Sequence, residues 1–241
     1  MPRFYVNALE DPTVITGEDA RHIVKSLRMN AGELLVLCDG NQREAEGVIV
    51  SLSADAVTVR LSDCRLSQAE PACQVALFVC YPKSDKAEWI IQKAVEIGAA
   101  EIVFVLSERC IARPDKADFA KKLVRYNKIA LEAAKQSGRG SIPKIRGLLE
   151  YSEGLKEMAA FQTAVLFFEG QGEPLTDLLQ DRYSNVALMS GCEGGFSLRE
   201  IDRAKAAGIR IVSLGKRIFR CETAPLVGLT AVLFSQGDLG G

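Results

Sequence analysis

The pattern of apolar and polar positions along the 241-residue chain changes character near residue 71. Before that point short apolar stretches dominate. Phe4-Tyr5-Val6 reads as a short strand, and Leu34 to Cys38 as another that ends in the turn pair Asp39-Gly40. Val48 with Val50, and Val57 with Val59 and Leu61, alternate with other residues as half-buried strands do. Thr16-Gly17-Glu18-Asp19 has the look of a capping box ahead of a short helix with Ala20, Ile23, Val24 and Leu27 on one face. Short strands with one small helix predict a compact β-barrel over residues 1–70, and Ser67-Gln68-Ala69-Glu70-Pro71 reads as a linker.

Beyond the linker, strand and helix alternate. Val75 to Tyr81 is a continuous apolar strand of the kind buried on both faces. Asp85 is placed to cap a helix through Ile97, with Ile90, Ile91, Ala94 and Val95 inward and Gly98 at its end. A strand over Glu101 to Leu106, a long helix over Asp118 to Gln136, a strand near Lys144 to Arg146 and a helix near Glu153 to Ala160 follow. Strands over Thr163 to Phe168, Val186 to Ser190 and Ile209 to Ser213 precede a final helix from about Thr223 to Ser235. This alternation predicts an α/β domain over residues 71–241, a parallel sheet with helices on both faces. No internal repeat or low-complexity tract interrupts it.

Composition narrows the classes. At 48% hydrophobic and 25% charged residues the chain reads as a globular protein whose core needs no staple. It contains no run of about 18 apolar residues, which argues against a membrane span. Met1-Pro2-Arg3-Phe4-Tyr5 lacks a secretory leader's apolar stretch, so a cytoplasmic location and no membrane partner are expected. Seven cysteines include no C-x-x-C pair and His22 is the single histidine, so no metal is expected. The net charge of −1 conceals an asymmetry. Lys plus Arg against Asp plus Glu is 7 to 11 over Met1 to Glu70, 14 to 8 over Pro71 to Arg146 and 9 to 12 over Gly147 to Gly241. A basic middle segment suits phosphate contact, and it equally suits solvated helix faces.

In parallel α/β sheets ligands bind at the loops beyond the carboxyl ends of strands. Three such loops have unusual compositions. Phe168-Glu169-Gly170 follows one strand, and Ser190-Gly191-Cys192-Glu193-Gly194-Gly195-Phe196-Ser197 the next. Leu214 to Thr223 follows the third, with the core Gly215-Lys216-Arg217-Ile218-Phe219-Arg220-Cys221-Glu222. Gly191, Gly194 and Gly195 permit positive φ and close approach of a ligand to the backbone; with Ser197 as a helix N-cap they equally suit a tight turn alone. Neither G-x-G-x-x-G nor G-x-x-x-x-G-K-[ST] occurs, which argues against nucleotide phosphates and against a nucleotide-cofactor oxidoreductase.

The ordered combination of motifs is more specific than any one of them. Gly-x-Glu-Gly-Gly-Phe-Ser at 191–197, then Leu-Gly-x-Arg-Ile-x-Arg-x-Glu-Thr-Ala at 214–224, resembles the bacterial 16S ribosomal RNA uracil-N3 methyltransferases of the SPOUT class. Arg3-Phe4-Tyr5, His22 with Leu27-Arg28, Gln92 to Gly98 and Glu132 to Arg139 extend the resemblance, in family order, over nearly the whole chain. The departures are local: Cys192 stands where the family usually has proline, Phe219 where it has leucine, and Tyr126 where tryptophan is common.

The resemblance implies an N-terminal PUA-like barrel that binds RNA, a C-terminal domain with a deep trefoil knot, a homodimer, and S-adenosyl-L-methionine as cofactor without metal. Carried over by position, Leu166, Phe168, Glu169 and Gly170, then Gly191, Cys192, Glu193, Gly194 and Gly195, then Leu214, Gly215, Arg217, Ile218 and Phe219 would surround that cofactor. The methyl group arrives already activated, so the protein's task is to orient uracil N3 and ease loss of its proton. Arg220 is assigned to stabilising the uracil anion or positioning RNA, and Glu222 to orienting Arg220 or, less directly, to accepting the proton. Glu222 equally suits a plain electrostatic role at the final helix's N-terminus. Paired N3 is inaccessible, so the target should be an unpaired or extruded base, in 16S ribosomal RNA of the small subunit. Arg3, Arg28, Arg109, Arg113, Lys135 and Arg139 are candidate phosphate contacts, each equally readable as a solvated charge; His22 is given no catalytic role. Two other readings stay open: a SPOUT enzyme with a transfer RNA or ribose target, and a non-catalytic RNA-binding assembly factor.

Overall fold

A computed structural model describes residues 1–170 and 172–240, which divide into two compact units, Met1–Glu70 with Ala134–Ile142, and Pro71–Ala133 with Pro143–Gly241. In the first, β1 (Arg3–Tyr5), β2 (Thr13–Thr16), β3 (Leu34–Cys38), β4 (Arg43–Leu52), β5 (Ala56–Leu61) and β6 (Arg65–Leu66) form one sheet. Its order is β1-β3-β4-β5-β2, with β6 paired to β4. The pairings are antiparallel except for β1 with β3. The expected barrel is thus a mixed sheet whose end strands, β1 and β2, are not paired with each other among the described residues. Phe4, Ile15, Leu35, Leu37, Ile49, Val57 and Val59 build its core together with Ala20 and Ile23 of the helical segment.

That helical segment, α1 (Gly17–Arg21), continues into a π-helical turn over His22–Ser26. Thr16 makes no side-chain cap bond. Gly17 enters the helix at φ +70°, so the spacing counted from Thr16 does not meet a regular first turn. Asp85 likewise makes no side-chain cap, because its φ/ψ of −86°/1° are not the extended values of a capping residue.

The second unit holds a seven-stranded, all-parallel sheet. Its elements in chain order are β7 (Gln74–Cys80), α2 (Lys86–Ile97), β8 (Glu101–Leu106), α3 (Lys116–Ser137, whose last turn belongs to the first unit), β9 (Lys144–Glu150), α4 (Tyr151–Met158) and β10 (Thr163–Phe167). There follow β11 (Glu173–Pro174), α5 (Leu175–Leu178), β12 (Asn185–Ser190), α6 (Leu198–Ala206), β13 (Arg210–Ser213) and α7 (Ala224–Gln236). The predicted alternation is present, with β11 and α5 as additions too short to leave a periodic signal. Residues Val75 to Cys80 are all buried, as a strand covered on both faces requires. Gly98 closes α2 at φ +124°.

Strand order is β11-β13-β10-β12-β7-β8-β9. Three strands adjacent in the sheet, β13, β10 and β12, therefore run parallel and send their carboxyl ends to the same edge. These are the strands that precede the three unusual loops. Gly228 of α7 lets the Phe167 ring lie against that helix, since a Cβ there would come within 2.2 Å of the ring.

Candidate active site

The three loops enclose a cleft of about 510 Å³ that opens to solvent. Of the expected residues, Phe168, Glu169, Gly191, Cys192, Gly195, Leu214, Gly215, Arg217, Ile218 and Phe219 line it. Phe167, Phe196, Ser213 and Ala224 complete the wall. Leu166 is buried one residue deeper in β10, and Gly170, Glu193 and Gly194 are exposed residues that do not line the cleft. Sequence reasoning missed Phe196 and Phe167 because a buried aromatic beside a loop reads as core.

The glycines do two different jobs. Gly195, at φ +62°, needs the left-handed region, and a Cβ there would also meet Glu169 Oε1 at 2.9 Å. Gly191 and Gly194, expected to share that freedom, are instead required by close approach. A Cβ at Gly191 would lie 3.1 Å from Gly195 Cα, and one at Gly194 2.9 Å from Arg109 Cβ. Ser197 caps α6 as predicted: its Oγ accepts from Glu200 N–H while the Glu200 carboxylate accepts from Ser197 N–H. Glu200 also accepts from Glu108 N–H, and Arg109 Nη1 donates to the Gly194 carbonyl at 2.9 Å. The segment after β8 thus supports the glycine loop from behind.

Under the loop, Cys192 lies buried with Ser107 and Cys110; Ser107 Oγ is 3.2 Å from Cys110 Sγ and 3.9 Å from Cys192 Sγ. Hydrogen bonding to Cys110 and burial push the Cys192 thiol far up, so it is a neutral packing group where a ring would otherwise stiffen the turn. Ser190 Oγ, buried at the carboxyl end of β12 beside Gly191, has no hydrogen-bond partner among the described residues.

Arg220 and Glu222 do not line the cleft, and the expected Glu222–Arg220 pairing is absent. Arg220 is exposed, its carbonyl accepting from Thr223 and Ala224 N–H at the start of α7. Glu222 binds Lys86 Nζ at 3.2 Å and accepts from the Cys221 thiol. Burial would raise its carboxyl, but its own backbone N–H, Cys221 and Lys86 together hold it below the ordinary range. Lys86 also binds Glu193 at 2.9 Å, and Glu193 is lowered in the same way, its desolvation outweighed by Lys86 and backbone N–H groups. Lys86 carries a signal that was legible: a cation in the first turn of a helix opposes the macrodipole and needs a reason.

The six basic candidates separate. Arg28 is exposed at φ 53°, and Arg109 is exposed beside the glycine loop. Arg113 is spent on the Ser107 and Cys110 carbonyls. Arg3 binds Glu44 at 2.8 Å, Lys135 binds Asp19 at 3.0 Å, and Arg139 binds Glu70 at 2.7 Å. The Arg139 side chain is 4% exposed, so its charge serves the interior, where Glu70 also accepts from Gly140 and Ser141 N–H.

The chain thus holds a parallel sheet with three loops gathered at one edge and, as a second unit, a small β sheet, and the comparisons give the class. The RNA methyltransferase domain family matches residues 69–233, and the RNA methyltransferase PUA domain family matches residues 15–62. The chain belongs to the RNA methyltransferase family that carries this pair of domains. It is 32% identical over 240 residues to the Ribosomal RNA small subunit methyltransferase E of Bacillus subtilis, covering 96% of this chain and 94% of the relative. Its counterpart in Mycobacterium bovis is 31% identical over 236 residues, covering 95% and 90%. The crystal structure of the Neisseria gonorrhoeae Ribosomal RNA small subunit methyltransferase E bound to S-adenosyl methionine superposes with a TM-score of 0.85, at 30% identity and 96% coverage of each chain. Among the described residues no helix is long and apolar enough to cross a membrane, and no group of His, Cys, Asp or Glu is arranged to hold a metal.

Proposed function

We propose that this protein is an S-adenosyl-L-methionine-dependent methyltransferase that methylates N3 of one uridine in 16S ribosomal RNA of the small subunit. The observation that carries the proposal is the cleft at the β13-β10-β12 edge, lined by ten of the fourteen residues expected at the cofactor. Its walls fit such a ligand. Phe168, Phe196 and Phe219 offer apolar faces to a purine, Gly191 and Gly195 leave room where a Cβ would clash, and the unpartnered Ser190 hydroxyl beside them is a spare polar group.

When bound, the cofactor supplies a methyl group on a sulfonium, which leaves as a neutral thioether. This chain's residues then have three tasks. The glycine loop and Leu214–Phe219 hold the donor; exposed Arg220, at the end of the third loop, orients the uracil and offsets the charge that grows on its carbonyl oxygens as N3 loses its proton. Glu222, anionic and bound to Lys86, is a poor proton acceptor, which favours a positioning role for it. Residues 1–70 are the RNA-binding unit and 71–241 the catalytic domain in this reading. Arg28 and Arg109 are its solvent-facing phosphate contacts, Arg109 through the guanidinium N–H groups not bonded to the Gly194 carbonyl, whereas Arg3, Arg113, Lys135 and Arg139 would reach phosphate only by surrendering the partners described above. A deep knot, a homodimer and a cytoplasmic site of action complete the proposal, supported by the motif order at 191–197 and 214–224.

The test is to incubate purified protein and tritiated S-adenosylmethionine with small subunits from cells lacking the activity, then map the label by mass spectrometry. Label on a single uridine N3 is expected. Label on ribose or transfer RNA would reassign the target, and no label in any RNA would refute the activity.

A further inference from the structure

Lys86 is bonded to both of the loops that carry the cleft. Its Nζ lies 2.9 Å from Glu193 Oε1 in the loop after β12 and 3.2 Å from Glu222 Oε2 in the loop after β13. Cys221 Sγ is 3.6 Å away. Strands β12 and β13 flank β10 and are not paired with each other, so this contact spans the central strand of the site. The Lys86, Glu193 and Glu222 side chains are only 27%, 27% and 19% exposed, which limits screening by solvent.

The placement is costly by local rules. Lys86 is the first residue of α2, where the helix dipole disfavours a cation. A solvated surface lysine would point away from that end. An ordinary structural ion pair would need one carboxylate, whereas here two converge from different loops, and Lys83 N–H adds a second bond to Glu193 Oε1 at 3.2 Å.

We propose that Lys86 is a positioning residue that fixes the separation of the glycine loop and the third loop, and thereby the affinity for S-adenosylmethionine. The inference rests on assigning the cleft to that cofactor. Two carboxylates share one ammonium, so removing the ammonium leaves like charges facing each other and drives the loops apart. Removing one carboxylate as well relieves that repulsion. A residue that only stabilised the fold would lower the melting temperature and leave the cofactor affinity of the folded protein unchanged.

The experiment is calorimetric titration of S-adenosylmethionine into the wild-type full chain and into Lys86→Met, Glu193→Gln and the double variant, with circular dichroism as a folding check. Lys86→Met should weaken binding by about tenfold, and the double variant should recover at least about threefold of that loss. Steady-state methylation should show a raised KM for the cofactor, with kcat at saturation within about threefold of wild type. Lys86→Met binding within twofold of wild type, or a double variant no better than Lys86→Met, overturns the inference. If Lys86→Met does not fold, Glu193→Gln and Glu222→Gln decide: each should weaken binding, and wild-type affinity in both overturns it. A wild-type protein that does not bind the cofactor refutes the cofactor assignment itself, and the inference falls with it.

Discussion

The two walls of the cleft are built differently. The glycine loop is held from every side: Glu193 by Lys86 and Lys83 N–H, the Gly194 carbonyl by Arg109, Gly195 N–H by the Cys192 carbonyl, and Ser197 by its capping box. The third loop is anchored at its far end, through Cys221 and Glu222, and at its start by the Ser213 hydroxyl with Gly215. Between them Lys216, Arg217 and Ile218 are exposed, Ile218 by 82%. An apolar side chain left in water beside an apolar cleft is a surface waiting for a ligand to cover it. One wall is therefore held along its length by hydrogen bonds, whereas the other is tied at its ends, and its middle is expected to gain order when a ligand covers Ile218, at a cost in conformational freedom that limits affinity.

The sharpest way to break this division is at Arg220, which the proposal assigns to the uracil. Arg220→Ala should lower single-turnover methylation by about 10²–10³-fold while cofactor affinity stays within about threefold. Equal losses in both would make Arg220 part of the cofactor wall. Next comes the wall held along its length. Gly195→Ala forces a side chain into the left-handed region at a cost of about 1–2 kcal/mol and pushes Cβ against Glu169. Both the melting temperature without ligand and the cofactor affinity should fall, the latter roughly tenfold by calorimetry. Ile218→Ala, in the other wall, should leave stability without ligand within about 0.5 kcal/mol and still weaken the cofactor by a few fold. A drop in ligand-free stability as large as that of Gly195→Ala would erase the distinction between the walls.

The smallest effect is with pH. Glu193 and Glu222 are held below the ordinary carboxyl value, so the folded state binds their protons less readily than the unfolded chain. Their contribution to stability is complete above that value and is lost as the pH falls through the lower folded values. Acid titration followed by circular dichroism should show Glu193→Gln losing less stability than wild type between pH 5 and pH 3, values bracketing the ordinary range of about 4 for carboxyls.

Much of this was legible in the chain because it depends on local spacing. The buried run Val75 to Cys80, the Gly98 stop and the Ser197–Glu200 cap each follow from a pattern a few residues long. The glycine loop and the third loop could be placed after strands for the same reason. What the chain did not disclose depends on distant partners. Thr16 looked like a cap until Gly17 took a left-handed φ. Arg139 and Arg3 looked like phosphate ligands because nothing near them in sequence reveals Glu70 or Glu44. Lys86 has a local signal, a cation in the first turn of a helix, but its partners lie more than a hundred residues away and the sequence does not disclose them. The glycine roles were half right for a similar reason: positive φ can be guessed at Gly195, whereas the Arg109 side chain behind Gly194 is a tertiary fact.

Amide hydrogen exchange, with and without saturating S-adenosylmethionine, tests the central claim most directly. The account predicts that amides of residues 214–219 exchange quickly in the free protein and are strongly protected by the cofactor, while those of 191–195 are already slow and change little. Binding that protects residues away from these loops, or that leaves 214–219 exchanging at the free rate, would contradict it.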